Sequence, residues 1–244
     1  MDKARFMLEL ILLVALGLST YVGIDNVKDK SADVMEDVGE SVYSVSNFVG
    51  RGTAWAAKTK SGKTVLVTNA HVCDSSVPLM FTVKDGEKHI LRVLEKDSKH
   101  DICLLSAPPN AVPLELADSL PMEEQVYAVG FPLIDFMSSS RGVVKGYIPV
   151  EVPYNTPVSE CHGQKFFVFT SPMRMPDGQV KEQTVCIFKA IVLTTTIPTD
   201  GGASGSPILN KDDEVVGMVM LRMGSVSWAE GVPLSAIKEF LYKN

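Results

Sequence analysis

From position 41 onward, short apolar runs alternate with clusters of turn residues. SVYSVSNFV, TAWAAKT, KTVLVTNA, PLMFTV, HILRVLE and DICLLSA are followed by QVYAVGF, RGVVKGYIPV, KFFVFTS, TVCIFKAIVLTTT, SPILN and EVVGMVML. The runs are rich in Val, Ile, Phe and Thr, many alternate, and the gaps hold breakers such as Ser61-Gly62, Asp85-Gly86 and Asp177-Gly178. Each run therefore predicts a strand. Short strands at such regular spacing predict an all-β, antiparallel sandwich or barrel. PLSAIKEFLYK, at 233–243, is the one strong helix: Ser235 can cap it, and Ile237, Phe240 and Leu241 share a face. The polar, proline-containing connector AVPLELADSLPMEEQ, at 111–125, predicts the junction of two β halves.

The N-terminus breaks this pattern. FMLELILLVALGLSTYVGI, at 6–24, is almost wholly apolar, with Glu9 as its only charge. A membrane-crossing helix needs about 20 such residues, and Lys3 and Arg5 before it favour a cytoplasmic N-terminus. Residues 1–24 are therefore expected to be a single-pass signal anchor, with the rest of the chain on the extracytoplasmic side. A cleaved signal peptide, releasing a secreted or periplasmic protein, is the alternative, but LGLST is a poor cleavage site. Residues 25–40 carry six acids and two lysines, −4 of the chain's net −6, and read as a solvated stalk. Val34, Val38 and Val42 recur every fourth position there, which predicts a short helix packing on the domain at 41–244.

The acidic balance gives no support to a nucleic-acid partner. The four cysteines, Cys73, Cys103, Cys161 and Cys186, have no metal-ligand spacing, so no metal and no cofactor is expected. Outside the cytoplasm disulfides are permitted. Cys161 and Cys186 flank a candidate hairpin turning at Asp177-Gly178 and could pair across it; four buried free thiols are the other reading.

Three local features line up. VTNAHV puts His71 just after an apolar strand, KHDICLL puts Asp101 at the mouth of another, and GGASGSP puts Ser204 in a glycine-rich bend. Acyl transfer needs this set: a hydroxyl nucleophile, an imidazole to take its proton, and a carboxylate to hold the imidazole. The glycines let backbone N–H groups, those of Gly202 and Ser204, face a developing oxyanion. Each feature alone is commonplace, as a strand-end histidine, a capping aspartate or a flexible loop.

Taken in order, they carry a resemblance to trypsin-like serine peptidases, most closely the HtrA branch. TNAHV resembles that family's histidine motif, HDICLL its aspartate motif and GASGSP its Gly-x-Ser-Gly-Gly-Pro nucleophile motif. GRGTAWAA, AVGFP, SSRGVVKG, EVVGMVM and EGVPLSAIKEFL fall in register around them, so the resemblance covers 41–244. It implies two antiparallel six-stranded β-barrels of chymotrypsin type with a C-terminal helix. His71 and Asp101 would come from the first barrel and Ser204 from the second, hydrolysing polypeptides through an acyl-enzyme. HtrA relatives are commonly trimers, but no trimer contact is legible in these residues.

The departures are informative. Ser206 replaces the motif's second glycine, and Ala203 stands where digestive relatives carry an aspartate that pairs with a freed N-terminus. No PDZ-like region is expected after the C-terminal helix, and the segment 149–184 looks longer than its family counterpart. The resemblance places the base of the specificity pocket at Pro198 and Thr199, its walls at Met220, Leu221 and Arg222, and Gly231 opposite. With no carboxylate at the base, a buried Lys or Arg side chain of the substrate would be unpaired, so a small or medium aliphatic residue is expected. Arg222, folded inward, would instead admit an acidic one. Two other functions are weighed: a catalytically weak peptide-binding, chaperone-like pseudopeptidase, supported by Ser206, and an esterase, opposed by the order His–Asp–Ser.

Overall fold

In the computed structural model the described residues are 30–46, 50–73, 80–82, 88–119, 122–132, 136–155, 165–174, 180–221 and 229–243. Two antiparallel sheets follow one another along the chain. The first contains β1 (Val42–Ser46), β2 (Arg51–Lys58), β3 (Thr64–Thr68), β4 (Met80–Thr82), β5 (Lys88–Ile90), β6 (Val93–Asp97) and β7 (Ile102–Ser106). Their order is β5-β4-β1-β2-β3-β7-β6. The second contains β8 (Gln125–Gly130), β9 (Ser138–Asn155), β10 (Lys165–Arg174), β11 (Val180–Thr195), β12 (Pro207–Leu209), β13 (Val215–Leu221) and β14 (Ala229–Pro233). Their order is β10-β11-β14-β13-β12-β8-β9, with a further β11–β9 pairing.

Each half is thus a seven-stranded sheet, where six strands were expected. The run HILRVLE accounts for the extra strand in the first sheet: it divides into β5 and β6, with Leu91 buried at the break. In the second, the segment read as the approach to the C-terminal helix forms β14, which pairs with both β13 and β11. The long segment before the nucleophile motif becomes a ribbon. Residues 146–155 of β9 pair with β11, and the far end of β11 pairs with β10 as the expected hairpin, Arg174 facing Val180.

The period-two pattern explains why several strands are apolar on both faces. In β2, β3 and β7 one face (Trp55, Ala57, Val65, Val67, Ile102, Leu104) enters a core shared between the sheets. The other (Ala54, Ala56, Leu66, Cys103, Leu105) fills the first sheet's own core. In β8 and β13, Tyr127, Val129, Met218 and Met220 point to the shared core, while Val126, Ala128, Val216 and Val219 line the second sheet's interior.

Among the described residues two α-helices close the shared core. α1 (Lys30–Val38) contributes Val34 and Val38, joined by Val42 from β1, so the four-residue spacing does mark one packed face. α2 (Leu234–Lys243) contributes Ile237, Phe240 and Leu241. It begins at Leu234, so Ser235 lies inside its first turn and not at the cap. Among the described residues no helix is long and apolar enough to cross a membrane; the segment expected to do so lies outside them.

Among the described residues no cysteine is a free thiol. Cys73 and Cys103 form a disulfide. The β3–β7 register, Thr68 opposite Cys103, brings these residues together although 30 positions separate them. Cys186 is also disulfide-bonded, and Cys161, its expected partner, lies outside the described residues. Replacing both Cys73 and Cys103 with Ser should lower the unfolding free energy by about 3–4 kcal/mol, the chain-entropy value for a loop of this length. Denaturant melting of the double variant measures this, and a loss below about 1 kcal/mol would contradict a structural role.

Candidate active site

His71, Asp101 and Ser204 stand on three separate connections around the shared core. β3 ends at Thr68 and passes into a short 3-10 turn, His71–Cys73, which turns the imidazole out of the strand. Asp101 immediately precedes β7. Ser204 sits in the bend before β12. Gly52 shows how closely these connections meet: a Cβ there would lie 2.9 Å from the Val72 side chain, beside His71, and 3.2 Å from the Ser204 carbonyl oxygen.

Asp101 is buried and grips His71 at two points. Its Oδ1 accepts the His71 backbone N–H at 2.9 Å, and its Oδ2 lies 2.8 Å from the ring Nδ1. A carboxylate only accepts, so the ring's Nδ1 carries the proton, and in the neutral imidazole the lone pair falls on Nε2. Asp101 achieves this with φ 58°, in the left-handed region, and Asn69 Nδ2 anchors its carbonyl at 3.1 Å. Such a conformation costs energy outside glycine and persists where surrounding bonds over-determine it. Asp101 shares the lining of a small cavity with Lys99, His100 and the apolar Val192, Met220 and Val232. The imidazole remains about one-third exposed, facing the open side.

The nucleophile bend is held from both ends. Ala203 N–H donates to Asp200 O at 3.1 Å, closing a four-residue turn whose third residue, Gly202, has φ 90°. A positive φ at that position calls for glycine. Gly205 N–H donates to Val219 O and Ser206 N–H to Ala203 O, both at 2.9 Å. Between them, among the described residues, the N–H groups of Gly202 and Ser204 are taken by no acceptor. These are the two donors that the sequence assigned to an oxyanion.

The Ser204 hydroxyl donates to the Met220 carbonyl at 3.1 Å, so in this structure its proton is not directed at the imidazole. Ser206 is fully enclosed, and its hydroxyl has no partner among the described residues. It fits because Gly130 faces it: a Cβ on Gly130 would collide with the Ser206 oxygen. This is how the fold accepts a serine at the motif's second glycine, and enclosure also denies Ser206 the access a nucleophile needs.

The specificity residues are only partly brought together. Thr199 lies beside the bend with a buried hydroxyl that has no partner among the described residues, while Pro198 is exposed. Met220 is buried in the shared core. Gly231 pairs with Val219, and a Cβ there would meet the Met218 carbonyl and Ile208, which gives it a packing reason within the sheet. Arg222 lies outside the described residues, as does the side chain of Leu221.

Two further carboxyls have shifted pKa values. Burial alone would raise that of Asp97, but the His100 ring at 2.7 Å and the N–H groups of His100 and Lys99 outweigh it and hold it below the ordinary range. Burial pushes the Glu230 carboxyl up.

With this geometry in view, the chain can be set beside known proteins. The trypsin-like peptidase domain family matches residues 50–218. The chain is 24% identical over 208 residues to the serine protease Do-like HtrA of Bacillus subtilis, covering 83% of this chain and 40% of that one. It is 25% identical over 224 residues to serine protease HTRA1A of Danio rerio, covering 86% and 40%. The chain thus spans well under half the length of these relatives. Among solved structures it is similar to the Rv3671c protease of M. tuberculosis. The active form gives a TM-score of 0.62 at 17% identity, covering 84% of this chain and 81% of that one; an inactive form gives 0.61 at 16%, covering 84% and 89%. At that identity the likeness speaks for the fold, and it is the chymotrypsin-like one that the sequence implied.

Proposed function

Because the chain belongs to the trypsin-like peptidase domain family and resembles its HtrA-type members, we propose that it is a serine endopeptidase acting through Ser204, His71 and Asp101. The observation that carries this reading is the two-point grip of Asp101 on His71, set beside a bend with two unclaimed N–H donors. In the reaction, Ser204 rotates about χ1 away from the Met220 carbonyl and its oxygen attacks the scissile carbonyl. His71 Nε2 takes the hydroxyl proton, and Asp101 offsets the imidazolium charge. The N–H groups of Gly202 and Ser204 receive the oxyanion. Collapse breaks the C–N bond, and the imidazolium gives its proton to the leaving amine. Water, deprotonated by His71, then attacks the ester, and Ser204 leaves with the returned proton.

The side chain before the scissile bond is proposed to be small or medium and aliphatic. Of the residues assigned to the pocket, Pro198, Thr199, Met220 and Gly231 lie in the described region with their side chains, and none is a carboxylate, so a cationic side chain buried among them would be unpaired. The pseudopeptidase reading is favoured by one observation, the Ser204 proton directed at Met220. Digestion of a denatured protein mixture separates the two. Wild type should cleave after Val, Ala, Leu or Met, Ser204→Ala should be slower by about a million-fold, and Ser206→Ala should keep most activity. Equal loss from both serine variants would overturn the assignment of Ser204, and a dominant Lys/Arg preference would overturn the pocket.

We further propose that residues 6–24 anchor the domain outside the cytoplasm. Only five residues separate this segment from α1, whose Val34 and Val38 are packed into the shared core. That length reaches at most about 20 Å, which would keep the site close to the bilayer. Full-length protein should remain in the membrane fraction after alkaline carbonate washing, with an intact N-terminus by mass spectrometry. A mature N-terminus near residues 21–25 would mean a cleaved signal peptide.

A further inference from the structure

Thr53 was not singled out by any motif, yet it is wholly buried on β2 and joins the two sheets at the nucleophile bend. Its N–H donates to the Ser204 carbonyl at 2.8 Å. Its hydroxyl donates to the Gly202 carbonyl at 3.0 Å and accepts the Phe131 N–H at 3.1 Å. Its carbonyl accepts the Thr68 hydroxyl at 2.7 Å, three residues before His71. Thr53 therefore ties the strand that delivers the base to the peptides on either side of the nucleophile.

The effect on the bend follows from peptide planarity. The Gly202–Ala203 peptide is fixed at its carbonyl by the Thr53 hydroxyl and at its N–H by Asp200. The Ser204–Gly205 peptide is fixed at its carbonyl by the Thr53 N–H and at its N–H by Val219. Within Gly202–Ser206, the N–H groups of Gly202 and Ser204 are the two left over. Glycine tolerates φ of either sign, so without the hydroxyl bond the Gly202–Ala203 peptide can turn about the Gly202 Cα and misalign its two neighbours, the Gly201–Gly202 and Ala203–Ser204 peptides, which carry the donors.

Resting on the serine-peptidase reading above, we propose that Thr53 is a positioning residue: its hydroxyl, acting through the Gly202 carbonyl, holds the oxyanion donors in the orientation the transition state needs. Thr53→Val keeps the shape and both backbone bonds while deleting the hydroxyl. Loss of donor alignment should appear in kcat, by about 10- to 100-fold, with KM unchanged. Thr53→Ser restores the hydroxyl and should restore the rate.

The test measures kcat and KM on a peptide substrate for wild type, Thr53→Val and Thr53→Ser, with the affinity of each for a peptide boronic acid. The boronate forms a tetrahedral adduct with a serine hydroxyl and so reads transition-state complementarity. The expected result is a parallel fall in kcat and boronate affinity for Thr53→Val, with both retained in Thr53→Ser. A role confined to stability would lower the melting temperature and leave these two readouts in place, which would overturn the proposal. Loss in Thr53→Ser equal to that in Thr53→Val, or a loss confined to KM, would overturn it as well. Wild type that neither hydrolyses substrate nor binds the boronate would overturn the peptidase reading and this proposal with it; active wild type beside an unimpaired Thr53→Val overturns this proposal alone.

Discussion

The two sheets share one apolar core, and the three side chains of the candidate site, His71, Asp101 and Ser204, lie on connections around it. Trp55, Val67 and Leu104 meet Tyr127, Val129 and Met218 there, so neither sheet buries its inner face without the other. Burial of this kind is non-directional. It sets the distance between the sheets but not the angle of any side chain at the candidate site. Angles come from directional bonds laid over the core: Asp101 to His71, Asp200 and Val219 to the bend, and Thr53 between the sheets. The buried carboxylate is tolerated because it is bonded, since a lone buried charge would be expensive.

The same division of labour explains what the sequence disclosed. Strand existence follows from side-chain period, and nearly all of the apolar runs became strands. Motif and order singled out His71, Asp101 and Ser204 as candidates, and of these the structure pairs His71 with Asp101. Gly202 was legible because a bend with positive φ leaves glycine's mark. Thr53 was invisible, since a threonine inside a strand is an ordinary β residue until its partners are known. The Cys73–Cys103 bond was equally hidden: it depends on the register between β3 and β7, which one sequence does not state.

Other differences have local causes. HILRVLE reads as one strand by composition, but the chain breaks at Leu91, which turns into the first sheet's core. Gly231 looked like a pocket residue by position, yet the space it leaves is occupied by the Met218 carbonyl and Ile208. Ser206 looked like a threat to the family's close packing. Gly130 supplies the missing volume, and the cost is one enclosed hydroxyl without a partner among the described residues.

The central claim is that Ser204 is a nucleophile activated by the His71–Asp101 pair. The most direct measurement is covalent labelling of the native protein by a fluorophosphonate, with the modified residue located by mass spectrometry. The account predicts a single adduct on Ser204 oxygen that disappears on heat denaturation before labelling and in His71→Ala. Absence of labelling in native protein, or an adduct on Ser206, would contradict it.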